Sequence, residues 1–218
     1  INGFRLEPGS SGSPFRGRHD VLPSGRNLYS NDPLLIPSKI AYEQGCKIAS
    51  EFIKKNLQDS GEHLRSILID LWGSATLRTA GEEFSMALYL LGVKPIWKLG
   101  SDRVDGIEII TLAELGRPRV DVTLRVSGLF RDTFQYQIKL YNQAIDILSN
   151  RYEDKSDNPF LNNSDKYRIF GPKPSNFGIN ISSIVKDFSQ TNRKKFGEAW
   201  IESSAWSITG EKTFYNKK

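Results

Sequence analysis

Residues 66–91 read S-I-L-I-D-L-W-G-S-A-T-L-R-T-A-G-E-E-F-S-M-A-L-Y-L-L, and the apolar period changes inside them. Residues 67–72 form a short apolar run of strand length. From 80 to 91 the period is helical, with Phe84, Ala87, Leu88 and Leu91 on one face. Thr79 and Glu82 stand just before that face at capping-box spacing, each side chain placed to bond a backbone N–H at the other's position. A small-residue connection between a strand and a helix is where many α/β proteins hold phosphate. A loop of the form G-x-x-x-x-G-K-[ST] nevertheless fails here. Counted from Gly73, the second glycine position holds Arg78 and the lysine position holds Thr79. The glycine that lets backbone wrap a phosphate and the lysine that reaches it are both missing. What remains is a helix start with a guanidinium beside it, suited to a carboxylate or phosphate, or simply a capped helix and a solvated arginine.

The same strand–helix alternation continues on both sides. Ser38 is placed to cap a helix whose stripe includes Ala41, Ile48 and Phe52, and Gly61 closes the turn after it. Short strands are expected at 93–97 and 107–110. Residues 119–127 alternate: Val120, Val122, Leu124 and Val126 share one face, and Asp121, Thr123, Arg125 and Ser127 share the other. That polar face either meets solvent or lines a cleft. After Gly128, L-F-R-D reads as a loop. Asp132 then stands to cap a long helix, with Gln135 at the capping-box position and an apolar face of Phe134, Ile138, Tyr141, Ile145, Leu148 and Tyr152.

The pattern predicts an α/β fold: a largely parallel sheet flanked by helices, with an extended N-terminal arm and a small C-terminal helical lobe. The expected division is an arm at 1–38, an α/β domain at 39–152, a mobile linker at 153–175 and a C-terminal helical segment at 176–218. Helical patterns in the last part fall near 179–188 and 193–206. Ligands of such sheets collect at the carboxyl ends of the strands, which singles out residues 73–79 and 127–132.

Composition narrows the chemistry. The 218 residues carry a net charge of +5, scattered rather than blocked, and no zinc-finger spacing or RNP-like aromatic motif points to nucleic acid. An anionic small molecule or an acidic partner fits that charge. Cys46 is the single cysteine and His19 and His63 are the two histidines, so no His/Cys metal cluster can be assembled. No apolar run reaches the roughly 20 residues that span a membrane, and cysteine usage favours a cytoplasmic setting. The chain opens at Ile1 in what reads as mid-domain sequence, as expected of a piece of a longer protein. Glu82 and Glu83 form a paired-carboxylate candidate that a helix dipole also explains. Arg16, Arg18, His19 and Arg26 cluster in the arm, and the four tryptophans are expected mainly as core or domain-packing groups.

Several stretches occur together and in order: D-V-L-P-S-G-R-N-L-Y-S-N-D-P (20–33), L-W-G-S-A-T-L-R-T-A-G-E-E (71–83), L-G-R-P-R-V-D-V-T-L-R-V-S-G-L-F-R-D (115–132), D-N-P (157–159) and R-I-F-G-P-K-P (168–174). Over nearly its whole length the chain resembles the large subunit of CobN-type cobaltochelatase, a family shared with the magnesium chelatase H subunit. Ser24 and Leu77 depart from the residues common there. The resemblance implies one internal segment of a subunit that inserts a divalent metal into a tetrapyrrole. For the cobalt branch, which the arm resembles more, cobalt is the substrate metal and hydrogenobyrinic acid a,c-diamide the acceptor, on the route to cobalamin. For the magnesium branch the acceptor is protoporphyrin IX. ATP and Mg are used by partner subunits, an AAA+ motor and an adaptor, and no cofactor is implied for this segment. A scaffold or docking lobe of either complex is the competing reading. The resemblance assigns no catalytic residues here. Physical reasoning supplies candidates: Arg78, Arg125, Arg131 and Arg26 to hold ring carboxylates by bidentate pairs, and Asp121 or Glu82 to accept ring protons or guide the cation.

Overall fold

Helix α1 (Lys39–Ser60) begins as its sequence predicts: the Ser38 hydroxyl accepts the Ala41 N–H, and Gly61 ends the helix in the left-handed conformation. The computed structural model describes residues 7, 22–23, 32–161, 167–178, 189–209 and 212–215. A short 3-10 helix, Pro33–Leu35, precedes α1. After it come β1 (Ser66–Leu71), α2 (Gly73–Thr79), α3 (Glu82–Leu91), β2 (Val93–Trp97), β3 (Val104–Ile109), α4 (Leu112–Leu115) and β4 (Asp121–Val126). The chain continues through α5 (Gly128–Thr133), α6 (Gln135–Ser149), β5 (Ile169–Gly171), α7 (Gln190–Ser203), β6 (Trp206–Ile208) and β7 (Thr213–Tyr215).

The main sheet has the order β1-β4-β5-β6-β7. Its long ladder is parallel, β1 to β4 to β5, and the short strands β6 and β7 extend it antiparallel. This is the α/β architecture the alternation predicts. Strands β2 and β3 form a separate antiparallel pair. The period of β4 decides where the core lies. Val122, Leu124 and Val126 are each 0% exposed, and their register partners on β1 are Ile67, Ile69 and Leu71. Phe84, Ala87, Leu88 and Leu91 of α3 and Ile138, Tyr141, Ile145 and Leu148 of α6 are buried with them. The buried Tyr141 hydroxyl donates to the Val122 carbonyl at 2.8 Å, which satisfies its one polar atom.

Several local expectations are corrected. Residues 73–79 and 128–133 are not loops but the short helices α2 and α5. Asp132 does not cap α6. It sits inside α5, where Arg131 takes both its oxygens at 2.6 and 2.8 Å, and Phe134 at the start of α6 makes no side-chain cap bond. Thr79 accepts the Glu82 N–H at 3.2 Å as predicted, but its carboxylate partner is Glu83 at 3.0 Å, not Glu82. Tyr152 is fully exposed, because α6 ends at Ser149.

The stretch expected as a mobile linker is packed over residues 153–161, with Asn158 and Phe160 buried, and it leads to β5 inside the sheet. The last helical pattern forms α7 and stops short of 206, because Trp206 begins β6. The pattern near 179–188, and the arm cluster of Arg16, Arg18, His19 and Arg26, lie outside the described residues. None of the four tryptophans is buried, and Trp72 is the most open.

Candidate functional site

Ser127, the residue after β4, ties the carboxyl ends of the two long strands together. Its N–H donates to the Leu71 carbonyl at 2.9 Å, and its hydroxyl oxygen accepts the Gly73 N–H at 3.0 Å and the Phe130 N–H at 3.2 Å. The starts of α2 and α5 are thereby bound to one side chain. Approach is close enough to require glycine. A Cβ on Gly73 would lie 2.8 Å from Leu129 Cγ, and one on Gly128 would lie 2.7 Å from the Asn176 carbonyl and 3.1 Å from Phe177 Cα. Three connections, after β1, β4 and β5, therefore meet at one rim.

That rim is apolar and open. Trp72 is 52% exposed, Leu129 43% and Phe177 67%. The Trp72 indole N–H donates to Asp70 at 3.3 Å, and the Arg131 guanidinium stands 5.8 Å from the Phe177 ring centre. Rings and an aliphatic side chain exposed together, with a carboxylate and a cation beside them, suit a flat apolar ligand with a charged periphery. A phosphate cradle is absent at this point. The Gly73 N–H is already taken by Ser127, and at the start of α3 a Cβ on Gly81 would lie 2.7 Å from Ile36 Cγ2, so that end is closed by packing.

The predicted site residues do not all gather at the rim. Arg78 is exposed in the last turn of α2. Arg131 is buried and joins the rim from beneath: it holds Asp132 and donates to the carbonyls of Pro172 and Lys173, fixing the connection after β5. Arg125 points to the outer face of the sheet. It donates to Asp70 at 2.9 and 3.2 Å and to the Ser204 hydroxyl at 3.0 Å, and lies 4.9 Å from the Trp200 ring centre of α7. Both guanidiniums, expected to hold ring carboxylates by bidentate pairs, are thus engaged with partners inside the chain. Asp121 shares the outer face with Arg125 but opens β4, about 16 Å of strand from the rim. Its two oxygens accept from Arg168 at 2.6 and 3.0 Å. Glu82 is half-buried at the start of α3, and Arg26 lies outside the described residues.

Sequence reasoning missed the arginines that hold the opposite end. Arg119 is 1% exposed. It pairs bidentately with Glu153 at 2.8 Å twice and donates to the carbonyls of Leu91, Gly92 and Ile110. Arg117 donates to the carbonyls of Tyr89, Leu90 and Pro118, and burial lowers its pKa. Burial alone would raise the Glu153 carboxyl, but the hydrogen bonds and charges of Arg119 and Arg151 outweigh it and hold the carboxyl below its ordinary value. Asp70 was also missed. The only signal for it was a lone acid in an apolar strand, one residue before the strand's end. Among the described residues no group of three His, Cys, Asp or Glu side chains gathers to hold a metal, and no helix is long and apolar enough to cross a membrane.

Fold and rim together define an α/β segment with a sealed base and an open apolar edge at the carboxyl ends of its parallel strands. The chain belongs to the CobN/magnesium chelatase family, whose model matches residues 1–217. It is 40% identical to the aerobic cobaltochelatase subunit CobN of Sinorhizobium sp over 95% of its length, and covers 18% of that protein. It is 28% identical to the chloroplastic magnesium-chelatase subunit ChlH of Oryza sativa subsp. japonica, again over 95% of this chain and 16% of the relative. Among solved structures, the catalytic subunit of cobaltochelatase from Mycobacterium tuberculosis superposes with a TM-score of 0.78 at 31% identity, over 97% of this chain and 19% of that one. The chain therefore spans less than a fifth of the length of these relatives.

Proposed function

We propose that this chain is a segment of the large subunit of an ATP-dependent cobaltochelatase, and that its rim lines or supports the site that holds a corrin precursor, hydrogenobyrinic acid a,c-diamide. The observation that carries this reading is the exposure of Trp72, Leu129 and Phe177 on the connections that converge at the carboxyl ends of β1, β4 and β5, in a chain of a chelatase family. Identity of 40% to a cobaltochelatase subunit against 28% to a magnesium-chelatase subunit favours cobalt as the substrate metal. Metal insertion requires that the ring be held while its N–H protons leave. The rim supplies apolar surface for the ring face, and Arg78, exposed in the last turn of α2, is proposed to reach a peripheral carboxylate. Asp70 accepts from both Trp72 and Arg125 and so holds the Trp72 ring at the rim, while Glu82 is the carboxylate proposed to receive a proton. Asp121, paired with Arg168 at the far end of β4, positions the sheet. Energy comes from ATP hydrolysis on partner motor and adaptor subunits, and the working setting is the cytoplasm.

The test places Trp72→Ala, Phe177→Ala and Arg78→Ala singly in the full-length subunit and titrates the corrin precursor by fluorescence quenching. Loss of about 1.4 kcal/mol per contact gives about tenfold weaker binding. Cobalt insertion with partner subunits and ATP falls in parallel. Unchanged affinity in all three variants rejects the rim as ligand site and leaves the scaffold reading.

A further inference from the structure

Strand β1 ends the main sheet. The Arg65 and Leu71 carbonyls accept the N–H groups of Asp121 and Ser127 on the β4 side. Successive residues of a strand direct their backbone groups to opposite sides, so the N–H and C=O groups of Ser66, Leu68 and Asp70 face away from β4. Among the described residues none bonds to them. A free edge is ordinarily blunted by proline, lysine or a bulge. β1 has none of these: it reads S-I-L-I-D-L in unbroken register with β4, and its one charge, Asp70, is paired with Arg125.

Burial gives a second, independent sign. Ile67 and Ile69 face the core yet are only half-buried, whereas their register partners Val122 and Leu124 are 0% exposed. On the other face Leu68 is 55% exposed in the middle of the strand. The core thins toward β1, as it does where a sheet lacks its next strand.

We propose that the free edge of β1 pairs with a further strand supplied by another part of the same full-length subunit. The chain covers 18% of its cobaltochelatase relative, so most of such a subunit lies beyond it. A strand within the same polypeptide meets the edge at an effective concentration that a second molecule rarely matches. The incoming strand has alternating character: apolar residues beside Ile67 and Ile69 that complete the core, an apolar residue beside Leu68 on the other face, and a polar one near Asp70. Backbone bonds supply affinity and this alternation supplies register. Besides the edge itself the inference uses only family membership, and it stands or falls separately from the tetrapyrrole reading.

The test is amide hydrogen exchange at single-residue resolution across 66–71, in the full-length subunit and in the 218-residue chain. In the 218-residue chain, Ile67, Ile69 and Leu71 exchange slowly and Ser66, Leu68 and Asp70 fast. In the full-length subunit all six are slow, with Leu68 and Asp70 slowed at least about a hundredfold, independently of protein concentration. Fast exchange at Leu68 and Asp70 in the full-length subunit overturns the proposal. Slow exchange there in the 218-residue chain also overturns it, because the strand would then come from within these residues. Protection that appears only at high concentration overturns it in favour of a second copy.

Discussion

The two ends of the parallel strands are built on opposite plans. At the amino end, Arg119 is 1% exposed and spends its donors on Glu153 and three carbonyls. Asn158 and Phe160 close over that end. At the carboxyl end, Trp72, Leu129 and Phe177 are exposed. A buried guanidinium is tolerable only when every donor is met, so the sealed end is a structural solution. Exposed rings meet no such internal demand, and their presence together at a strand-end rim needs an external explanation. Arginine count alone is therefore a poor guide to a binding site here: most of the motif arginines hold the chain to itself.

The contrast can be broken most forcefully at the sealed end. Arg119→Ala leaves Glu153 buried without its main partner, and a loss of about 3–5 kcal/mol is expected in urea unfolding of the chain. A loss below about 1 kcal/mol would mean that the end is not sealed as described. The same pair sets an acid limit. Glu153 has a folded-state pKa held below its unfolded value of about 4.3. Its stabilising contribution is complete above that unfolded value and is lost as pH falls through the lower folded one. Urea midpoints measured from pH 6 to pH 3 should fall more steeply for the native chain than for Glu153→Gln.

A smaller effect is expected on the outer face. Arg125→Ala strands Asp70, whose side chain is 38% exposed and can turn to water, so a loss of about 1–2 kcal/mol is expected by the same unfolding assay. At the open rim, Trp72→Ala and Phe177→Ala should change stability by only about 0.5 kcal/mol while weakening ligand binding in the full-length subunit. A large stability loss at Trp72 would erase the distinction between the two ends.

Much of the fold was legible because it depends on local periods. The alternation of 119–127 placed Val122, Leu124 and Val126 in the core, and Ser38 and Gly61 marked both ends of α1. The candidate site was less so. Ionic partners lie far apart in the chain: Arg119 with Glu153, Arg125 with Asp70, Arg168 with Asp121. No spacing rule links such residues, and a guanidinium looks the same in sequence whether it meets a ligand or a carbonyl. Asp132 shows the same competition at short range, since Arg131 claimed the carboxylate that helix-capping rules assigned to α6.

By itself, the sequence determined the class of fold, the core faces of β4, α3 and α6, the failure of the phosphate loop and the family likeness, because each depends on neighbouring residues or on their order. On α1 it put Ile48 and Phe52 in the apolar stripe, but both are exposed, and the buried positions are Ala41, Tyr42, Gly45 and Ala49. Tertiary structure alone decided which arginines are spent internally, that three connections meet at a rim of Trp72, Leu129 and Phe177, and that among the described residues no strand pairs with the outer edge of β1. Those outcomes arise from which strands lie side by side, and adjacency in the sheet follows the long-range packing of a common core rather than any local pattern.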